Sequence, residues 1–197
     1  MPRTVTALRA AGAGRVAVEL DGDRWRTLPL EAVLRAGLDV GRPVDRQRAR
    51  GLARELRRLE ALGVATRALR RRQRSTQELE ERLAERGVAP RERERALATL
   101  ASSGLVDDER FARARAEALA ARGSGDALIR DDLERRGVAT DAVEHALAAL
   151  QPERERAAAL VARRGPGPRT ARYLAARGFD EDAVAEAVAP EAADALE

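Results

Sequence analysis

The sequence predicts a mainly α-helical protein, with tandem three-helix repeats in an elongated curved array behind a small N-terminal β-hairpin/sheet module. Three observations predict it. Aromatic residues are 2% and charged residues 36% of the 197, and so few large flat side chains cannot fill a sandwich or barrel core. Apolar residues alternate with period two only before residue 30 and recur at helical spacing after residue 43. A helix-closing Arg-Gly-apolar signature then returns three times, as it does in repeat architectures.

The first module covers residues 1–63. Val5 and Ala7 alternate with Thr4 and Thr6, and Val16, Val18 and Leu20 alternate with Ala17 and Glu19. Asp21-Gly22-Asp23 is a hairpin turn, and Arg24 to Leu28 forms the return strand, with Trp25 as its one large packing residue. This is a sheet of two or three strands at residues 4–28. Pro29 opens a short helix over 30–36, stopped by Gly37. Asp45 caps a helix that runs to Leu62, with Leu52, Leu56, Leu59 and Leu62 on one stripe. Gly63 is read as its C-terminal stop.

The repeats cover 64–106, 107–150 and 151–197. Arg82-Leu83-Ala84-Glu85-Arg86-Gly87-Val88 aligns with Asp132-Leu133-Glu134-Arg135-Arg136-Gly137-Val138 and with Tyr173-Leu174-Ala175-Ala176-Arg177-Gly178-Phe179. With the glycines in register, Leu79 meets Ile129, and Ala96, Leu97 and Leu100 meet Ala146, Leu147 and Leu150. Phe111-Ala112 meets Val161-Ala162, and Ala187-Val188 continues the pattern in the third copy. Each copy reads as three helices: 65–74, 76–86 and 90–102; 107–122, 126–136 and 140–150; 152–164, 168–177 and 180–189. Ser75 and Glu78 fit a capping box, Thr140 and Asp180 fit N-caps, and Gly87, Gly104, Gly137 and Gly178 fit helix stops. Gly165-Pro166-Gly167-Pro168 interrupts the third copy. A unit this small buries little by itself, so neighbours stack.

The composition excludes much chemistry. There is no cysteine, hence no disulfide, thiolate or cysteine-held metal. His145 is the one histidine, and it reads as a structural or surface residue. All 37 basic residues are arginine, so no lysine-bearing phosphate loop exists. The pairs Asp107-Asp108 and Asp131-Asp132 and the run Asp180-Glu181-Asp182 read as acids at helix N-termini. No catalytic constellation, cofactor site or metal site is expected, and the chain is not read as an enzyme. No apolar run has membrane-spanning length, and Met1-Pro2-Arg3-Thr4 does not open a signal peptide. The expectation is a soluble, cytoplasmic monomer.

Charge carries the positive signal. The net charge is +4, with +7 on residues 1–110 and −3 on the rest. Arg67, Arg70, Arg71, Arg72 and Arg74 crowd one predicted helix that holds no acid. Arg110, Arg113 and Arg122 extend along another, and Arg46, Arg50, Arg54, Arg57 and Arg58 form a stripe opposite the leucines. Arginine binds phosphate and carboxylate bidentately. Such stripes suit DNA phosphates or an acidic protein groove, and equally a solvated helix face. The arginine bias also fits GC-rich coding. Arg67, Arg70, Arg71, Arg72, Arg74, Arg110, Arg113 and Arg122 are the candidate contacts to partner or DNA.

Several runs resemble the RecX family of recombinase regulators. They are Arg74-Ser75-Thr76-Gln77-Glu78-Leu79, then Leu83…Gly87-Val88, and Gly104-Leu105-Val106-Asp107-Asp108-Glu109-Arg110-Phe111-Ala112. Gly125…Ile129…Leu133…Gly137-Val138 and Tyr173-Leu174…Arg177-Gly178-Phe179 follow in the family's order. The resemblance covers residues 64–190, and residues 1–62 look like the N-terminal extension of some members. It implies tandem three-helix repeats and a non-enzymatic protein. Such a protein lies along the RecA–DNA filament and inhibits its ATPase, coprotease and strand-exchange activities, and it often binds DNA. The bottom-up alternative is a direct DNA-binding protein whose three-helix units act like helix-turn-helix modules.

Overall fold

A computed structural model describes residues 2–189. Strands β1 (Val5–Ala10), β2 (Arg15–Leu20) and β3 (Asp23–Pro29) form an antiparallel sheet in that order. The period-two pattern puts Val5, Val16, Val18, Leu20 and Leu28 on one buried face. Helix α1 (Leu30–Arg35) covers that face with Ala32 and Val33, and Leu38 and Leu52 complete the core. The start of β1 is paired on its outer edge with the segment before the next helix. The Val5 amide donates to the Arg42 carbonyl at 3.0 Å, and the Gly41 amide donates to the Val5 carbonyl at 2.8 Å.

Helix α2 (Arg46–Leu69) is capped by the Asp45 carboxylate, which accepts from the Arg48 amide at 2.8 Å. It departs from expectation at Gly63, which lies inside the helix and does not end it. A glycine in a helix costs about 1 kcal/mol, and buried Ala61, Ala65 and Ala68 on either side hold the helix in place. The helix stops at Leu69, with Arg70 as its C-cap. No separate helix therefore covers 65–74.

The remaining helices follow the predicted order: α3 (Thr76–Glu85), α4 (Pro90–Ser102), α5 (Asp108–Ala120), α6 (Asp126–Glu134), α7 (Thr140–Ala148), α8 (Glu153–Arg164), α9 (Pro168–Ala176) and α10 (Glu181–Val188). Ser75, Asp107 and Asp180 accept amides at their N-termini. Thr140 does not cap, because it is already the first helical residue and Ala139 stands at the cap without a side-chain bond. Asp131 and Asp132 lie in the body of α6 and not at an N-terminus. The positive φ of Gly87, Gly104, Gly137 and Gly178 ends the helices before them, a conformation that only glycine adopts cheaply. The end of the predicted third repeat, residues 190–197, lies outside the described residues.

The chain divides into two compact units, Met1–Arg71 with Arg82–Leu100, and Arg72–Glu81 with Ala101–Glu197. In the second unit one core gathers Phe111, Ala116, Ile129, Leu133, Val143 and Leu147. Another gathers Ala157, Val161, Leu174 and Phe179. Two helix openings in this unit seat on two Arg-Gly corners. The Ser75 hydroxyl donates to the Arg136 carbonyl at 2.6 Å, and the Gln77 side chain covers Gly137. The Gly125 amide donates to the Arg177 carbonyl at 2.8 Å, and Leu128 covers Gly178. The start of α3 thus meets the end of α6 as the start of α6 meets the end of α9.

Candidate partner interface

The loss of the 65–74 helix changes the arginine cluster. Arg67 lies on the last turn of α2, Arg70 is its C-cap, and Arg71 to Arg74 lie in the turn and extended chain that follow. The expected stripe on a single helix is absent. Arg67, Arg70 and Arg71 belong to the first unit, while Arg72, Arg74, Arg110, Arg113 and Arg122 belong to the second.

Three of the eight candidates are committed to internal contacts. Arg72 and Arg74 both face the Glu78 carboxylate, at 3.0 and 3.8 Å. Glu78 does not reach back to close the expected capping box, because these guanidiniums and that of Arg136 hold its carboxylate. Arg110 clasps its own N-terminal turn, donating to the Gly104 carbonyl at 3.0 Å and lying 3.7 Å from Asp107. Arg67, Arg70, Arg71, Arg113 and Arg122 are exposed, and no acid pairs with them among the described residues. On α2, Arg46, Arg50 and Arg54 form an exposed stripe at four-residue steps, also without an acid. Arg57 and Arg58 of that predicted stripe instead pair with Glu92 and with Glu55 and Glu31.

The strongest electrostatic feature is one that spacing did not reveal. Arg115 grips Asp132 bidentately, with Nε to Oδ2 at 2.8 Å and Nη2 to Oδ1 at 2.9 Å. Arg136 donates Nε to the same Oδ2 at 2.9 Å and reaches Glu78 with Nη1. The chain Arg115–Asp132–Arg136–Glu78–Arg72 ties α5 and α6 to the opening of α3. Arg115 is the main reason the Asp132 carboxyl sits well below the usual carboxylate range. Partial burial opposes the shift, and Arg136 adds to it. Because the folded value is depressed, the stabilisation is present in full above the unfolded value of about 3.9. It is lost as pH falls through the folded value. The urea midpoint of the wild type is therefore expected to drop more between pH 7 and pH 3 than that of Asp132→Asn. Equal drops would assign the acid sensitivity elsewhere.

His145 is exposed on α7, and Asp107 and Asp180 cap helices as expected. Among the described residues no group of three or more histidine, cysteine or acidic side chains could hold a metal. None of the described helices is long and apolar enough to cross a membrane.

The comparisons with known proteins agree with this architecture. Residues 107–147 match the family model of the second three-helix domain of RecX. The chain is 38% identical over 134 residues to the regulatory protein RecX of Chromohalobacter salexigens, a match that spans 64% of this chain and 88% of that protein. It is 36% identical over 136 residues to the regulatory protein RecX of Halorhodospira halophila, spanning 64% and 84%. A crystal structure of regulatory protein RecX superposes with a TM-score of 0.81 at 20% identity, covering 94% of this chain and 98% of that one. RecX from Lactobacillus salivarius superposes with a TM-score of 0.58 at 17% identity, covering 65% and 92%.

Proposed function

The chain belongs to the RecX family, and from that we propose that it binds the RecA–DNA filament and inhibits its ATPase, coprotease and strand-exchange activities. On this reading it acts as a monomer in the cytoplasm, with three-helix units at 107–150 and 151–197 and a first unit at 64–106 that takes the end of α2 as its first helix. The observation that carries the contact assignment is the set of exposed arginines without an acidic partner: Arg67, Arg70, Arg71, Arg113 and Arg122. An acidic protein groove or DNA phosphates would pair them. A ligand shifts an assembly only through unequal affinity for its states, so the protein holds the filament in a form that hydrolyses ATP slowly or cannot extend.

The test is RecA's DNA-dependent ATPase with this protein titrated in, beside its binding to bare single-stranded DNA at the same salt. Inhibition well below one protein per RecA with weak DNA binding supports the filament reading. Tight DNA binding with inhibition only at saturation favours the DNA-binding alternative. Replacing Arg67, Arg70, Arg71 and Arg113 together by alanine is expected to weaken inhibition about tenfold or more, since exposed ion pairs contribute about 0.2–1 kcal/mol each. The salt dependence should flatten with it. Unchanged inhibition by the folded variant would remove these residues from the interface. Arg72, Arg74 and Arg110 stay in place because their substitution would disturb the fold.

A further inference from the structure

The Arg-Gly corners that receive helix openings number two among the described residues, but three matching helices, α3, α6 and α9, each end on such a corner. At the ends of α3, α6 and α9 the residue after the glycine donates its amide to a leucine carbonyl: Val88 to Leu83 at 3.1 Å, Val138 to Leu133 at 3.2 Å and Phe179 to Leu174 at 3.2 Å. Gly87, Gly137 and Gly178 have φ of +72°, +71° and +79°. The second and third corners are filled. A side chain at Gly137 would strike Gln77, and one at Gly178 would strike Leu128. Nothing lies within 4 Å of where a Gly87 side chain would stand. Arg86 and Gly87 are exposed, and Arg86 has no ion pair among the described residues. Its counterparts are engaged. Arg136 holds Glu78, in the first turn of the docked α3, and Arg177 donates to the Arg122 and Gly123 carbonyls just before α6.

We propose that the Arg86-Gly87-Val88 corner is a docking site for the opening turn of a helix from another protein. That helix carries a hydroxyl or glycine at its cap and a carboxylate in its first turn to meet Arg86. The two filled corners define this chemistry, because each takes a helix N-terminus through one polar donor to the arginine carbonyl and a side chain laid over the glycine. The donor is foreign because this chain has none left among its matching helix openings. Those of α3 and α6 are engaged, and α9 opens with Gly165-Pro166-Gly167-Pro168. In the register set by the glycines, Pro166 stands where Gly125 donates its amide, and proline has no amide hydrogen to give. The third repeat thus lacks the amide donor with which α6 seats on its corner. The proposal does not depend on RecA being the partner.

The test uses the full chain, labelled with ¹⁵N, and a synthetic peptide of residues 72–85. This is the segment whose opening fills the matching corner at Gly137. A side-chain staple across its last turns keeps it helical, since free helices this short are marginal. Saturable amide shifts are expected at Gly87 and Val88, with affinity at least tenfold weaker for Arg86→Glu and for a peptide carrying Ser75→Ala and Glu78→Arg. No shift at Gly87 up to millimolar peptide, or shifts confined to Gly137 and Val138, would overturn the proposal. Sedimentation of the chain alone supplies the remaining outcome. Self-association that Arg86→Glu abolishes would put a second copy in the corner and overturn the foreign partner.

Discussion

Gly125→Ala is expected to destabilise the protein by roughly 3 kcal/mol, toward the upper end of what overpacking costs. The backbone itself tolerates alanine, since Gly125 has φ −80°. The cost arises across the contact. The new Cβ would stand 2.3 Å from the carbonyl carbon and oxygen of Gly178 and from the nitrogen of Phe179. These are backbone atoms, and no rotamer change moves them. Relief requires the end of α9 to withdraw, which breaks the bond from the Gly125 amide to Arg177 (2.8 Å) and the bond from the Ala127 amide to Gly178 (3.1 Å). Gly87→Ala is the control. It strains a positive φ but meets open space, so about 1 kcal/mol is expected. Urea unfolding of both variants makes the comparison, and equal costs would mean that the start of α6 is not seated on Gly178 as described.

Asp132→Ala should cost about 2–3 kcal/mol at pH 7. A buried ion pair that loses one partner costs roughly 3–5 kcal/mol, and the partial exposure of this site lowers that figure. The Asp132 side chain is 16% exposed, while Arg115 and Arg136 are 29% and 26% exposed. Without the carboxylate two half-buried guanidiniums share a site with no acid between them. Arg136 keeps Glu78, but Arg115 has no other acid within bonding distance among the described residues. Adding Arg115→Met should therefore recover part of the loss, which a double-mutant cycle reads directly. Strict additivity of the two substitutions would show that the pair is not coupled.

The chain's own order of residues determined most of the fold. The N-terminal sheet, the position of nearly every helix and the thrice-repeated Arg-Gly corner follow from alternation, three- and four-residue spacing, caps and positive-φ glycines. All of these act within a few residues along the chain. Where the expectation failed at Gly63 and Glu78, tertiary contacts outweighed a local preference. Gly63 is a reasonable helix stop by propensity, yet buried Ala61, Ala65 and Ala68 carry α2 through it. Glu78 at a capping-box position is drawn to Arg136, 58 residues away. Thr140 has a capping residue's chemistry but falls one position inside the helix. The candidate interface shows the same division. Its arginines were legible as a group because charge clusters in sequence. Which of them remain exposed was settled only in three dimensions, because an ion pair depends on distance in space and no local pattern encodes the partner. Asp132 was visible as an acid, but its grip by Arg115 joins residues 17 apart on two helices. The corner at Gly87 carries the same residues as the two at Gly137 and Gly178, and only the packing of the folded chain leaves it open.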